Sequence, residues 1–136
     1  MQIRNKVVAR FRDGRTIKGY TFDFTPNKGL FHVIAPDDDK KVTEISASDL
    51  KAIFYVKTFE GDSQRTKSRE LDERIMQKVM GLKLKVTFHD AEVLCGTTNG
   101  YSKGRQGFFL APVDKSSNNG RAYVLADSTL SVETWR

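Results

Sequence analysis

FRDGRTIKGYTFDFTPNKGLF, Phe11 to Phe31, decides how this chain is read, because a weaker copy, FHDAEVLCGTTNGYSKGRQGF, runs from Phe88 to Phe108. An offset of 77 aligns the two without a gap: Phe11 falls on Phe88, Asp13 on Asp90, Gly19 on Gly96, Thr21 on Thr98 and Phe31 on Phe108. After a three-residue insertion in the second copy, Ile45 meets Leu125, Ser48 meets Ser128 and Leu50 meets Leu130. Self-similarity at a fixed offset is the mark of a structural unit used twice.

Within each copy the apolar residues alternate. Val7, Ala9 and Phe11 share one face of a strand, and Leu84, Val86 and Phe88 share the equivalent face. Period two is the pattern of a half-buried strand. Asp13-Gly14 supplies a hairpin turn. Asp90-Ala91 stands there in the second copy, so that turn must differ or be strained. Gly19 and Gly96 lie inside the second strands, where a glycine marks a bulge or sharp bend. The segments LFHVI, VTEIS and KAIFYVK complete the first copy, and GFFLA, AYVLA and LSVETW the second. The expected architecture is therefore mainly β: two tandem, small, five-stranded barrels of SH3-like or Sm-like type. Leu71, Ile75, Met76 and Val79 recur at helical spacing, and predict one short joining helix at about 69–80. The corresponding domains are 1–57 for the first barrel, 58–81 for the loop and helix, and 82–136 for the second barrel.

The composition bounds the function. The chain of 136 residues has a net charge of +6. The excess is spread along it: residues 1–56 hold ten Lys+Arg against seven Asp+Glu, residues 57–80 six against five, and residues 81–136 seven against five. No basic run points to a nucleic-acid arm. No apolar stretch is long enough for a membrane helix. MQIRNKVVARF has no apolar core of a secretory signal, and one cysteine allows neither a disulfide framework nor a multi-cysteine zinc site. These features predict a cytoplasmic protein without membrane contact.

The chain resembles a bacterial domain family of unknown function in IFYVKTFEGD (Ile53–Asp62) and GFFLAPVDKSSNN (Gly107–Asn119). That resemblance implies a bacterial origin and carries no activity. More widely, KVVARFRDGRTIKG (Lys6–Gly19) is similar to the opening strands of Sm-like proteins. In that family an Asp and an Asn hold a base; Asp23 and Asn27 lie near that place, with Gly100 and Gly104 at the second copy's matching positions. The family's Arg-Gly or Lys-Gly pair is replaced by Ser48-Asp49-Leu50. RTKSR (Arg65–Arg69) matches one half of the cyclic di-GMP motif of PilZ domains, with DKSSNNG (Asp114–Gly120) as an imperfect second half.

No residue set predicts catalysis, a cofactor or a metal. His32 and His89 read as solvated strand residues, Cys95 as a packed thiol, and Asp37-Asp38-Asp39 as a solvated turn. The best-placed charged pair is Lys28 and Arg105, at equivalent positions in the loops before the third strands. Asn27 flanks the first, and Tyr101 could stack a base or pack a peptide beside the second. Asn118 and Arg121 add a polar patch, and Phe109 is an aromatic on the outer strand face. The expectation is a non-catalytic binding or regulatory module with Asn27, Lys28, Tyr101, Arg105, Asn118 and Arg121 as contacts, taking a protein partner. Weak nucleic-acid or nucleotide binding is the alternative.

Overall fold

A computed structural model describes residues 4–26, 29–59, 82–101, 105–112 and 119–135. Ten strands follow one another: β1 (Asn5–Phe11), β2 (Thr16–Thr21), β3 (Leu30–Ile34), β4 (Val42–Ser46), β5 (Leu50–Val56), β6 (Lys83–Phe88), β7 (Val93–Thr97), β8 (Gly107–Pro112), β9 (Asn119–Leu125) and β10 (Thr129–Trp135). They form one antiparallel sheet in the order β10-β6-β7-β8-β9-β5-β1-β2-β3-β4. The first five and the last five have the same internal order, 5-1-2-3-4. The expected joining helix at 69–80 lies outside the described residues, and among those residues no helix is long and apolar enough to cross a membrane.

Two tandem barrels packed on each other were expected, and the sheet is instead continuous and open. β5 pairs with β9 along Ala52↔Val124, Ile53↔Tyr123, Phe54↔Ala122 and Tyr55↔Arg121. The reason lies in the two strands. Ala52 and Phe54 face one side of β5 and Ile53 the other, and all three are buried. Ala122 and Val124 oppose Tyr123 and Leu125 in the same way on β9. A strand apolar on both faces belongs inside a sheet with cover on both sides. As the edge of a lone barrel it would expose one of those faces to water, along with an unpaired ladder.

The apolar side chains divide into two cores on opposite faces of the central strands. One gathers Val7, Ala9, Phe11, Phe31, Val33, Ile45, Leu50 and Ile53 with Tyr123 and Leu125 of the second half. The other gathers Leu84, Val86, Phe88, Leu94, Phe108, Leu110, Ala122 and Val124 with Val8, Ala52 and Phe54 of the first half. Each half thus completes the other's core. Phe11, Phe31, Phe88 and Phe108 are all buried, as strand parity requires.

The sheet must curl within each half. Single 3-10 turns, Ala47–Asp49 and Ala126–Ser128, link β4 to β5 and β9 to β10. Ser46 and Leu50 can be at most about 14 Å apart along the chain. Four strand positions in a flat sheet span about 19 Å. Curling closes that gap, and Gly19 and Gly96 permit it. A Cβ on Gly19 would overlap the carbonyl of Ile34, and one on Gly96 that of Ala111, so β2 and β7 meet their neighbours too closely for any side chain.

The backbone contacts of the halves correspond. Arg12 N–H donates to Asp49 O at 3.1 Å and His89 N–H to Ser128 O at 3.1 Å; Ala47 N–H donates to Gly29 O at 2.9 Å and Ala126 N–H to Gln106 O at 2.9 Å. These pairs keep the offset of 77 up to β8 but set it at 79 beyond, so the second half carries a two-residue insertion rather than three. Leu50 therefore corresponds to Thr129 and Ile45 to Val124. Leu50 is fully buried while Leu130 is 65% exposed. A one-residue slip exchanges the faces of a strand, and chemical likeness between leucines conceals it in the sequence. The Asp90-Ala91 turn keeps the geometry of its glycine-bearing counterpart: Ala91 N–H donates to Phe88 O as Gly14 N–H does to Phe11 O. Ala91 sits at φ 74° to do so, the strained alternative foreseen for it.

Candidate binding cleft at the junction of the two halves

Where β8 and β9 meet the loops around Thr98 and Arg105, they border an open cleft of about 770 Å³. Its rings come from directly opposed strand positions. Phe109 on β8 faces Tyr123 on β9, and the rings meet edge to face with centroids 4.9 Å apart. Arg121 on β9 faces Tyr55 on β5. Its guanidinium lies 4.4 Å from the Tyr55 ring centroid and 4.8 Å from that of Phe109. An arginine stacked on two rings has lost little of its charge and much of its freedom, which prepares it for a carboxylate or phosphate. Arg105 and Pro26 line the same cleft. Thr98 Oγ1 donates to Phe109 O at 2.8 Å and fixes the rim.

The electrostatics follow from this packing. Burial pushes the Tyr55 phenol above its usual pKa, with Arg121 opposing the shift. Burial raises Tyr123 likewise, against the pull of Arg105. Both phenols keep their protons at neutral pH, and the cleft holds two permanent cations.

Of the residues expected to form the site, Arg105 and Arg121 come together here. Asn27, Lys28 and Asn118 lie outside the described residues, though Pro26, next to Asn27, reaches the cleft. Tyr101 does not line it. It packs on Phe108 with centroids 5.0 Å apart, just as Phe24 packs on Phe31 at 5.0 Å, and both rings cover cores. Tyr55 and Tyr123 escaped sequence reasoning because they join one cluster, each beside Phe109, only once β5 pairs with β9. The outward parity of Phe109 was the one local signal.

His32 is not simply solvated. Its Nδ1 lies 2.7 Å from Asp23 Oδ2, its backbone N–H donates to Asp23 Oδ1 at 3.0 Å, and Nε2 lies 3.4 Å from Glu44 Oε2. The hydrogen bond to Asp23 holds the imidazole above its ordinary pKa. Asp23 also accepts from Thr21 Oγ1 at 3.2 Å, so its carboxylate is committed to tying the β2–β3 loop to β3. Cys95 is buried. Among the described residues no cluster of His, Cys, Asp and Glu could hold a metal ion.

The chain is mainly β, with two like-ordered halves and an aromatic, guanidinium-bearing cleft lined by the second half and by Pro26 of the first. The family follows from comparison: the profile of a family of unknown function, DUF6982, matches residues 3–135, and the chain belongs to that family. No curated protein and no solved structure matches it.

Proposed function

We propose that this chain is a non-catalytic binding module whose junction cleft takes an acidic segment of a protein partner. The observation that carries this is Arg121, held against Tyr55 and Phe109 in a cleft that Arg105 shares. A guanidinium over an aromatic floor, with a second one lining the same cleft, suits a carboxylate flanked by apolar side chains. In the same reading the curled halves are an internal duplication of a small Sm-like or SH3-like barrel. A cytoplasmic setting belongs to it too, resting on a sequence with a single cysteine.

Fluorescence anisotropy with a labelled Glu-rich peptide carrying one Trp tests the proposal. Arg105→Glu/Arg121→Glu should weaken binding at least about tenfold, the scale of one lost charge-assisted hydrogen bond. Equal affinity in that variant, or no binding by the wild type, would remove the cleft from the account.

One observation favours the alternative. Lys6 and Arg10 on β1, Lys18 on β2 and the preceding Arg4 are exposed, and neither strand contains an acidic residue. Strand pairing sets Lys6 beside Tyr20, and Arg4 lies 4.4 Å over the Tyr20 ring. The fold gathers what looked like an even spread of charge. Binding of a single-stranded oligonucleotide that falls steeply with salt and is lost in Lys6→Glu/Lys18→Glu would favour a polyanion ligand on this face.

A further inference from the structure

The correspondence between the halves leaves two unlike edges, and we infer that they bind each other between chains: the outer edge of β10 in one copy pairs with the outer edge of β4 in the next. Within the chain, β5 of the first half already pairs with β9 of the second. β10 corresponds to β5, and β4 corresponds to β9. The joint made once inside the molecule thus has its two complementary surfaces, one at each end of the sheet, and no described strand occupies either.

The fastenings of the internal joint show what the outer one would use. Lys51 is the extra residue at the register shift where β5 meets β1. Its ammonium reaches the β6–β7 turn, 2.7 Å from Asp90 Oδ2 and 2.5 Å from Glu92 Oε1, and lies 4.5 Å from the Phe88 ring centroid. Arg121 stacks on Tyr55 at the far end. At the correspondence of 79, Leu130 replaces Lys51 and Val42 replaces Arg121. Leu130 is likewise the extra residue at the register shift between β10 and β6.

Four large hydrophobic residues are exposed among the described ones, and these are two of them: Val42 at 53% and Leu130 at 65%. They stand where the internal joint places its two cationic clasps. The receiving surface changes to match. Arg15 replaces Glu92 and pairs with Asp13 at 2.7 Å, so that turn is already neutral and asks for no lysine. Phe11 replaces Phe88 beneath it. An ionic clasp inside the chain becomes an apolar one between chains.

The register follows: Ser131↔Ile45, Val132↔Glu44, Glu133↔Thr43 and Thr134↔Val42. Glu44 meets this joint with its charge engaged by His32. β4 and β10 contain no Lys or Pro, and the one charge each carries, Glu44 and Glu133, falls opposite an uncharged residue in this register. Because the two surfaces differ, the contact is heterologous and yields a ring, or a filament where the rotation does not close. The occupant is a second copy of this chain, by continuity with the joint already built. This inference does not depend on the ligand of the cleft.

Light scattering after size exclusion, with the full chain over a dilution series, tests it. The wild type should associate beyond a monomer, and Val42→Asp and Leu130→Asp should each be monomeric with an unchanged circular dichroism spectrum. Both positions are exposed, so neither change enters a core. Mixing the two variants is the decisive arm. Each retains the edge the other has lost, so the mixture should form one-to-one dimers and nothing larger. A monomeric wild type at every concentration, association that survives in either variant, or a mixture that stays monomeric would each overturn the pairing.

Discussion

Lys51→Met removes the ammonium that clasps the two halves and leaves most of the aliphatic stem over Phe88. Lys51 is buried to 7% exposure, and its partners differ: the Asp90 side chain is 57% exposed and that of Glu92 31%. Breaking a fully buried pair costs about 3–5 kcal/mol because a charge is stranded. Here water can rehydrate both carboxylates, so the cost should fall to about 1–3 kcal/mol. For a chain of this size that is a fall in melting temperature on the order of 4–12 °C.

The pH dependence identifies the cause. The Lys51 hydrogen bond, foremost, holds Asp90 below its usual value of 3.8. A depressed carboxyl contributes stability that is complete above the unfolded pKa and is lost as pH falls through the folded one. Urea titrations of wild type and variant should therefore differ most at neutral pH and converge below about pH 4. A difference under about 0.5 kcal/mol at pH 7, the range of ordinary surface changes, would refute the clasp. A difference of equal size at pH 7 and pH 3 would refute its electrostatic origin.

Ala91→Gly should stabilise by about 0.5–1 kcal/mol in thermal melts by relieving a positive φ, and Gly14→Ala, at φ 95°, should destabilise by a similar amount. Phe31→Ala should cost about 3–5 kcal/mol, whereas Leu130→Ala should cost under about 0.5 in dilute monomer; a core-sized cost at Leu130 would return the insertion to three residues. The His32 latch has the opposite pH sign. Its raised pKa means that its stabilisation is present below the unfolded value of 6.5 and is lost as pH rises through the folded one. The gap in melting temperature between wild type and His32→Gln should narrow between pH 5 and pH 8.

Local chemistry explains what was legible beforehand. Alternation in KVVARF and KLKVTF, the Asp-Gly turn and the interior glycines all act within a hairpin, so strand positions and buried phenylalanines were readable. The union of the halves was not. It depends on β5 and β9 each being apolar on both faces, a property that a single strand shares with an ordinary buried core segment. The insertion was misjudged because Leu50 and Leu130 look alike while their surroundings differ. Arg105 and Arg121 could be picked out as charges near loops. Tyr55 and Tyr123 could not, because their places beside Arg121 and Phe109 are made by strand pairing. The basic face of β1 and β2 was hidden similarly, since alternate residues of two strands converge without forming a run.

β5 and β9 are adjacent strands of one sheet. Cross-strand nuclear Overhauser contacts between residues 52–56 and 119–124 measure this directly. Backbone contacts should appear in the register Ala52↔Val124, Ile53↔Tyr123, Phe54↔Ala122 and Tyr55↔Arg121, with the Ile53 and Phe54 amides among the slowest to exchange. Fast-exchanging β5 amides with no contact to β9 would contradict it, and would return the chain to two separate barrels.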